Sequence, residues 1–378
     1  MTSSRLRILE NGALEIVDPR FEDLTLLREV DPGFTVLTAP LSGFSKPHFQ
    51  TMRKLGCGFS TPELRQMDVD QLWLAHVKAL LEWKSGAGHG SSKGEACVLD
   101  LKLELAGRIL RRCTLCARRC GVDRLAGSLG FCGLGPEAIV AESFIHIGEE
   151  PPINPSYVLS LAGCALRCRF CQQSAILHPK RVNGTTLGPA SWKELDLEGA
   201  RSLSFVGGNP DESLFAILQF LNSASSEFKV PIVWNSHAYS SPEAVDLLNG
   251  IVDVYLPDLK YSNPACALRW SKVEDYPEVA RQTIMRMVDQ HVLVMVRILL
   301  LPGHLHCCHL PALHFLASLP IPPKVSIRGQ YSPDWKITAS DGEMATRLTK
   351  EEVESATGIA RSLGLALVAS DRTSLNPA

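Results

Sequence analysis

The sequence lacks an apolar run that could cross a membrane. Its longest such run, at 292–301, falls far short of the roughly 20 residues that a membrane-spanning helix needs. Residues 1–13 mix Arg, Glu and Asn and lack the apolar core of a secretory signal peptide. We therefore expect a cytoplasmic protein with no membrane partner.

A surplus of charge of one sign is also missing. The chain has 38 Lys and Arg against 40 Asp and Glu, a formal net charge of −2, and no block of like charges. Proteins that bind nucleic acid usually carry a basic stripe, so we expect no nucleic-acid partner. The length of 378 residues, with 45% hydrophobic and 21% charged residues, suits one α/β domain of roughly 250 residues plus a smaller region.

Cysteine, by contrast, is abundant. Seven of the 12 cysteines lie between Cys113 and Cys171, in two closely spaced groups. Disulfide frameworks belong to short secreted chains, and this chain is neither short nor secreted by its sequence features. Thiolates at such short spacings in a reducing compartment are better explained as metal ligands.

The chain divides into three predicted parts. Residues 1–105 form an N-terminal extension of unknown role, residues 106–150 a cysteine-rich metal-binding segment, and residues 151–378 a core domain. In the extension we predict one helix at 63–84, with Thr61 as N-cap and Pro62 at the first helical position. Its apolar stripe is Leu72, Ala75, Val77, Leu80 and Leu81, and the Gly/Ser-rich segment 85–93 is predicted to be a flexible connector.

The core domain alternates strands and helices. The predicted strands are 157–161, 203–206, 231–234, 252–256, 292–300 and 324–327, and the predicted helices are 212–223, 242–248, 276–288 and a last helix that begins with a capping box of Thr349 and Glu352. This alternation predicts parallel βαβ units of an α/β fold, either as an open sheet or as a partial barrel.

Three cysteines follow the first of these strands with the spacing C-x3-C-x2-C: Cys164, Cys168 and Cys171. Loops at the carboxyl ends of parallel strands are where sites are built, and soft thiolates favour iron–sulfur clusters or zinc. A four-iron cluster with only three cysteines keeps one iron open to an outside chelator. The alternatives are three buried cysteines or part of a zinc site.

This spacing, with Phe170 just before the third cysteine, resembles the signature of the radical S-adenosylmethionine (SAM) superfamily. The resemblance implies a [4Fe–4S] cluster on the three catalytic cysteines, a partial (β/α)6 TIM-like barrel, and reductive cleavage of SAM to a 5′-deoxyadenosyl radical that abstracts hydrogen from a substrate. It also implies a flavodoxin- or ferredoxin-like reductant.

The SAM-binding residues are assigned by the same resemblance. Gly207, Gly208 and Asn209 match the family's glycine-rich segment, where a side chain would block a close backbone approach. Asp258 and Lys260 resemble the D-x-K element of glycyl-radical-enzyme activases, in which the lysine faces the SAM carboxylate; a surface salt bridge is the alternative. Asn235 and Ser236 are the expected ribose contacts, and Arg297 belongs to the expected adenine wall.

The second cysteine group is Cys113, Cys116, Cys120 and Cys132, spaced C-x2-C-x3-C-x11-C. Four thiolates complete either a closed [4Fe–4S] cluster or a tetrahedral zinc site, and the pattern leaves both open. Four arginines lie close by and are expected to soften the charge of the site: Arg111, Arg112, Arg118 and Arg119.

With the later segments 146–153, 256–261, 275–280 and 330–333, this group resembles the cysteine-rich relatives of pyruvate formate-lyase activating enzyme over about residues 112–365. The resemblance favours an activase-like enzyme acting on a protein or peptide. A radical enzyme on a small molecule, a non-catalytic iron–sulfur electron-transfer or sensor protein, and a zinc-bearing scaffold remain as alternatives.

Other candidate residues are given no site. His304, His306, Cys307, Cys308 and His309 cluster after the fifth strand, but adjacent cysteines rarely chelate one ion comfortably, and a substrate-facing role is preferred. Cys57, Cys97 and Cys266 are isolated, and such cysteines are usually small buried hydrophobes. Glu149 and Glu150 are as consistent with a capping or solvated role as with a place in the active site.

Overall fold

A sheet of eight strands positions the candidate site. The structure is a computed structural model and describes residues 6–8, 14–16, 19–30, 34–368 and 374–375. The other residues, which include most of the segment 1–13, lie outside this description. The strands are β1 (Leu6–Ile8), β2 (Leu14–Ile16), β3 (Ile139–His146), β4 (Ser156–Leu161), β5 (Thr185–Thr186), β6 (Ser202–Gly207), β7 (Ile232–Ser236), β8 (Val254–Pro257), β9 (Leu293–Leu299), β10 (Lys324–Arg328) and β11 (Ser374–Leu375).

Six of these strands run parallel and in chain order. The order across the large sheet is β10-β9-β8-β7-β6-β4-β3-β5, in which β3 pairs antiparallel with both β4 and β5. The six predicted strands are all present and parallel, and β4 and β10 do not pair, so the sheet stays open. The predicted α/β partial barrel is confirmed. β3 is an additional strand that the sequence analysis missed.

Helices cover the sheet and join its strands. They are α1 (Leu24–Val30), α2 (His48–Met52), α3 (Thr61–Gln66), α4 (Val69–Ser85), α5 (Val98–Arg111), α6 (Leu214–Ser223), α7 (Pro242–Leu248), α8 (Pro264–Ser271), α9 (Tyr276–Val288), α10 (Leu310–Ser318) and α11 (Lys350–Ser362). α7 and α9 have the predicted bounds, and the side chain of Thr349 caps α11 as predicted. In the part of the chain that is described, no helix is both long and apolar enough to cross a membrane.

The predicted helix at 63–84 is wrong in one respect, because it is two helices. α4 has its own N-cap, since Asp68 accepts a hydrogen bond from Gln71 N at 2.8 Å and Gln71 Oε1 accepts one from Asp68 N. Ser60, and not Thr61, caps α3. The buried stripe of α4 follows the i, i+3, i+4 pattern from Leu72, so Val77 and Leu81 point to solvent, 51% and 62% exposed.

The segment 85–93 is a hydrogen-bonded turn and not a free connector. Gly56 N donates to His89 O at 3.0 Å, and Ser91 N donates to Lys54 O at 2.8 Å. The region before the barrel also packs on it through α5, whose buried Lys102 donates to Leu247 O and Asn249 O. The assignment of three domains stays a prediction.

Candidate active site

The three-cysteine loop follows β4 at the carboxyl end of the sheet. Three different neighbours hold its backbone. Ala165 N donates to the buried carboxylate of Glu212 at 2.8 Å, and Ala165 O accepts from Arg118 Nε at 3.0 Å. Arg169 N donates to Trp270 O in α8 at 2.8 Å. The loop is therefore fixed by the turn after β6, by the cysteine-rich segment and by α8.

The three thiols of this loop turn toward one cavity in an environment that disfavours a bare negative charge. Burial raises the pKa of Cys164 far above its ordinary value, and burial together with Cys168 raises that of Cys171 to about 12. Burial also raises the pKa of Cys168, against the opposing effects of Lys260 and of Ser271, whose Oγ lies 2.9 Å from the Cys168 Sγ. A metal centre would supply the positive charge that three thiolates need.

Two glycines at the carboxyl end of β6 pack directly on the cysteine loop. A Cβ on Gly208 would lie 2.0 Å from Gly163 O, and one on Gly207 would lie 2.3 Å from Leu161 N. Gly207 also has φ of 104°, a conformation that side chains disfavour. Gly208 N donates to Leu161 O at 2.7 Å. Glycine is thus required here for the contact between two loops.

Asn209 and Glu212 tie this glycine loop to the end of β7. Asn209 Nδ2 donates to Glu212 Oε2 at 2.6 Å, and Asn209 Oδ1 accepts from His237 N at 3.0 Å. His237 Nε2 lies 3.4 Å from Glu212 Oε1. These buried polar groups brace three loops at once, so they hold the backbone of the cavity in one arrangement.

Asp258 and Lys260 form an ion pair at the end of β8. Lys260 Nζ lies 2.6 Å from Asp258 Oδ2, and their side chains are 15% and 27% exposed. Burial lowers the pKa of Lys260, but the charges of Asp258 and Cys168 outweigh it, and the net pKa lies above its ordinary value. Lys260 is a permanent cation beside the cysteine loop.

Arg297 of β9 belongs to a buried network that the sequence analysis did not foresee. Its guanidinium bonds to Glu149 and, through Nε at 2.8 Å, to Glu150, which also accepts from Arg328 Nη2 at 2.7 Å. Burial raises the pKa of Glu149, yet Arg297 and His146 outweigh it and hold this pKa at about 2. The alternative of a solvated role for the two glutamates is wrong, because both are buried.

All twelve residues that the sequence analysis assigned to the SAM site line one cavity of about 280 Å³. They are Cys164, Cys168, Phe170, Cys171, Gly207, Gly208, Asn209, Asn235, Ser236, Asp258, Lys260 and Arg297. The same cavity is lined by residues that were not assigned to it, His146, Glu149, Gln172, Arg328 and Tyr331 among them. His146 is the last residue of β3, a strand that was not predicted from the sequence. The individual roles of the twelve stay predictions.

The second cysteine group lies against the three-cysteine loop. Phe131 O accepts from Arg167 Nη2 at 2.8 Å, and Ala117 N donates to Tyr239 O beyond β7. A Cβ on Gly130 would lie 3.2 Å from Cys132 Sγ and 3.5 Å from Cys120 Sγ. Both sulfurs thus approach the same stretch of backbone, with Cys120 exposed and the other three cysteines of the group buried.

The arginines near this group make different contacts. The guanidinium that reaches a cysteine is that of buried Arg124, whose Nη1 lies 3.7 Å from Cys113 Sγ. Arg118 instead bonds to Ala165 O, and Arg119 pairs with Glu243 at 2.7 Å. Arg111 and Arg112 are exposed. Arg124 was not among the four arginines predicted to soften the charge of the site, and the effect of those four stays a prediction.

The spacing of the sulfurs bears on which metal centre would fit. A tetrahedral zinc ion with Zn–S bonds of about 2.3 Å brings its sulfurs to roughly 3.8 Å from one another. Among the described residues, neither Cys164, Cys168 and Cys171 nor any three of the second group have sulfurs within 4.8 Å of one another.

Comparison with known proteins adds a relative over most of the chain. No family model matches it. The uncharacterized protein MJ0674 of Methanocaldococcus jannaschii is 31% identical over 317 residues, which are 81% of this chain and 91% of the archaeal protein. The chain belongs to the MJ0674 family.

Solved structures match parts of the chain. A domain of pyruvate-formate lyase-activating enzyme from Bacteroides vulgatus is 19% identical, with a TM-score of 0.31, over 38% of this chain and 82% of that domain. Streptococcus suis SuiB bound to S-adenosylmethionine is 15% identical, with a TM-score of 0.39, over 55% of this chain and 48% of SuiB. The match thus spans about half the length of SuiB.

Proposed function

We propose that this member of the MJ0674 family is a radical SAM enzyme. Bound at Cys164, Cys168 and Cys171, a [4Fe–4S] cluster would supply the electron for reductive cleavage of SAM to a 5′-deoxyadenosyl radical, which abstracts hydrogen from the substrate. The observation that carries the proposal is the convergence of these thiols, the glycine loop after β6 and Lys260 on one cavity. These groups come from three separate strand ends.

The chain's own residues would orient the cofactors and keep water out. Ser271 Oγ donates to Cys168 Sγ and would tune the basicity of that ligand. Gly207 and Gly208 line the cavity, and their lack of a side chain lets the cysteine loop pack against them. The ring of Phe170 packs edge-on against that of Tyr331, with ring centroids 5.8 Å apart, and both rings line the cavity.

The direct test is to look for the product of cleavage. Full-length protein reconstituted with iron and sulfide under anaerobic conditions should convert SAM to 5′-deoxyadenosine when it is reduced with dithionite. Liquid chromatography with mass detection measures both compounds. A protein that holds its cluster but forms no 5′-deoxyadenosine with any reductant would instead be an electron-transfer or sensor protein.

Lys260 is proposed to hold the carboxylate of SAM. Its ammonium has three N–H donors, one of which reaches Asp258, and it lies beside the cysteine loop. Lys260→Met keeps the apolar stem and removes the charge, so it should weaken SAM binding about ten- to a hundredfold, as expected for a charge-assisted hydrogen bond of roughly 1.5–3 kcal/mol. Equilibrium binding of SAM to the reconstituted protein measures this.

Two further measurements make that test specific. The matched control is Lys78→Met, since Lys78 is 75% exposed on α4 and pairs only loosely with Glu82 at 3.8 Å. Both variants should keep the iron content and melting temperature of the wild type. SAM affinity equal to wild type in Lys260→Met would remove Lys260 from the site, and a large loss of stability would assign it a structural role.

The second cysteine group is proposed to hold a second iron–sulfur cluster. Its four cysteines, three of them buried, are enough for a closed [4Fe–4S] cluster. The triple variant of Cys164, Cys168 and Cys171 to Ala should therefore retain about four irons per chain, because Cys113, Cys116, Cys120 and Cys132 remain. Iron and sulfide analysis measures this. A folded triple variant without iron would rule out an iron–sulfur cluster at the second group.

The proposed electron donor is a low-potential flavodoxin- or ferredoxin-like protein, and the proposed substrate is a protein or peptide, as for an activating enzyme. The exposed Cys120 supports an approach of the donor at the second group, where a cleft also contains Arg108 and Arg112.

His146 and Glu149, at the part of the cavity lined by β3 and its following turn, would face the substrate. Incubation with SAM, dithionite and candidate proteins encoded nearby tests this; turnover of a small molecule alone would favour the alternative.

A further inference from the structure

Cys266, His304 and Cys307 form a compact group outside the cavity. One possible ligand atom from each lies within 4.8 Å of the other two, and among the described residues this is the one group of three His, Cys or acidic side chains that is so compact. Cys266 belongs to α8, and His304 and Cys307 lie 38 and 41 residues further along the chain. The fold therefore brings Cys266, which looked isolated in the sequence, to two members of the later His/Cys cluster.

The distance between the two sulfurs matches the distance between two thiolates bound to one metal ion. Cys266 Sγ and Cys307 Sγ are 3.8 Å apart. Two thiolates on a tetrahedral zinc ion, with Zn–S bonds of about 2.3 Å, lie roughly 3.8 Å apart. The same distance is far longer than the roughly 2 Å of a disulfide bond. In the two iron–sulfur candidates, by contrast, no three sulfurs come this close.

The imidazole of His304 is held in the manner of a metal ligand. His304 Nδ1 lies 2.7 Å from Pro302 O, and Trp270 Nε1 donates to His304 Nε2 at 3.0 Å. A ring nitrogen bonded to a backbone carbonyl, which leaves the other as an acceptor, is the usual arrangement of a ligating histidine. An ion on Nε2 would replace the hydrogen bond from Trp270, while the hydrogen bond from Nδ1 to Pro302 O would keep the ring in place.

The local backbone also departs from a regular helix here. Cys307 lies in a single turn of π-helix, Leu305–His309, in which His309 N donates to His304 O at 3.2 Å. Such turns are rare and occur frequently at functional sites. Cys266, His304 and Cys307 are each half-buried, so an ion from solvent can reach them.

We propose that Cys266, His304 and Cys307 bind one thiophilic divalent ion of the zinc class, with solvent at the fourth position. The ion would join α8 to the turn after β9. α8 also carries Trp270 and Ser271, which contact the cysteine loop, so the site would brace that loop from behind. This site does not depend on SAM chemistry.

Zinc content of the reconstituted protein tests the proposal. Full-length protein whose iron–sulfur sites have been filled anaerobically, then exposed to Zn²⁺ and dialysed, should keep one zinc per chain. Cys266→Ser with Cys307→Ser should lose that zinc and keep its iron, whereas Cys97→Ser, at a buried cysteine near α5, should change neither. X-ray absorption at the zinc edge should show two sulfur neighbours, one nitrogen neighbour from His304 and one oxygen neighbour from solvent.

His304→Gln provides a second variant that leaves both thiols in place. It should raise the zinc dissociation constant about tenfold or more and remove the nitrogen neighbour. The proposal is overturned if wild-type protein keeps no zinc, if the double variant keeps as much as the wild type, or if mass analysis of alkylated protein finds only a Cys266–Cys307 disulfide. Each readout is independent of SAM cleavage.

Discussion

Cys168→Ala is expected to abolish the formation of 5′-deoxyadenosine. Cys168 is the middle one of three thiols on a loop that has no fourth cysteine within reach in sequence. Its loss would leave two ligands for a cluster that needs three, so iron should leave the site or stay in a form that binds no SAM. Product formation by reduced, reconstituted protein measures the effect, with a loss of at least about a thousandfold for a residue of this kind.

A matched substitution separates the loss of a ligand from the loss of a buried thiol. Cys57→Ala removes a buried cysteine whose Sγ lies 3.7 Å from Phe59 O, outside the cavity. It should keep wild-type activity, and both variants should keep the wild-type circular dichroism. Turnover by Cys168→Ala at more than a few per cent of the wild-type rate would refute the assignment of the three-cysteine loop.

The parts of the fold that could be predicted have local causes. α7 and α9 have a proline in the first turn, and α11 begins at a capping box. Their starts are therefore determined by residues that are neighbours in sequence. The break before α4 had such a signal too, because Asp68 and Gln71 form a capping box that was passed over. β3 had none, since what makes it a strand is pairing with β4 across an intervening loop.

The candidate site divides in the same way. Its cysteines, glycines and Lys260 each follow a strand, and parallel strands bring their carboxyl ends to one edge, so a sequence pattern could indicate them together. The ion pairs of Glu150 with Arg297 and Arg328 join segments about 150–180 residues apart. The contact of His304 with Trp270 of α8 joins residues that are 34 apart. Such contacts depend on tertiary packing, and no local spacing predicts them.

Glu150→Gln should destabilise the protein strongly, by about 3–5 kcal/mol, because it leaves two buried guanidinium groups without their shared carboxylate. The Glu150 side chain is fully buried, and it bonds to Arg297 of β9 and Arg328 of β10. The network therefore fastens the turn after β3 to the last two strands of the sheet. Urea unfolding at pH 7, followed by circular dichroism, measures the difference in the free energy of unfolding.

The matched control for Glu150→Gln is the same substitution at an exposed ion pair. Glu142 is 58% exposed and lies 2.6 Å from Arg20. Glu142→Gln should change the free energy of unfolding by no more than about 1 kcal/mol, because solvent screens such a pair. Equal effects of the two substitutions would show that burial of Glu150 adds nothing to the pairing.

The loss in the free energy of unfolding that Glu150→Gln causes should also become smaller in acid. Burial raises the pKa of Glu150, but Arg297 and Arg328 outweigh it, so the folded pKa lies well below the value of about 4.3 in an unfolded chain. A carboxyl group whose pKa is lowered by folding adds stability that is fully present above the unfolded pKa and is lost as the pH falls toward the folded pKa. Glu150 raises the pKa of Glu149, which is about 2, so Glu150→Gln should lower it further. Glu149 therefore stays ionised in both folded proteins above about pH 3, and its contribution cancels in the difference.

The gap in the free energy of unfolding between wild type and Glu150→Gln should therefore be constant from pH 7 to about pH 5. It should narrow steadily below pH 5. Loss of metal in acid lowers the stability of both proteins and cancels in the difference, so the narrowing reports the carboxylate itself. A gap that does not change between pH 7 and pH 3 would mean that folding leaves the pKa of Glu150 near its unfolded value, and a gap that widens would mean that Glu150 is protonated in the folded protein. In either case Glu149 or other groups would neutralise the two arginines. The Glu150 carboxylate would then not hold the turn after β3 to β9 and β10.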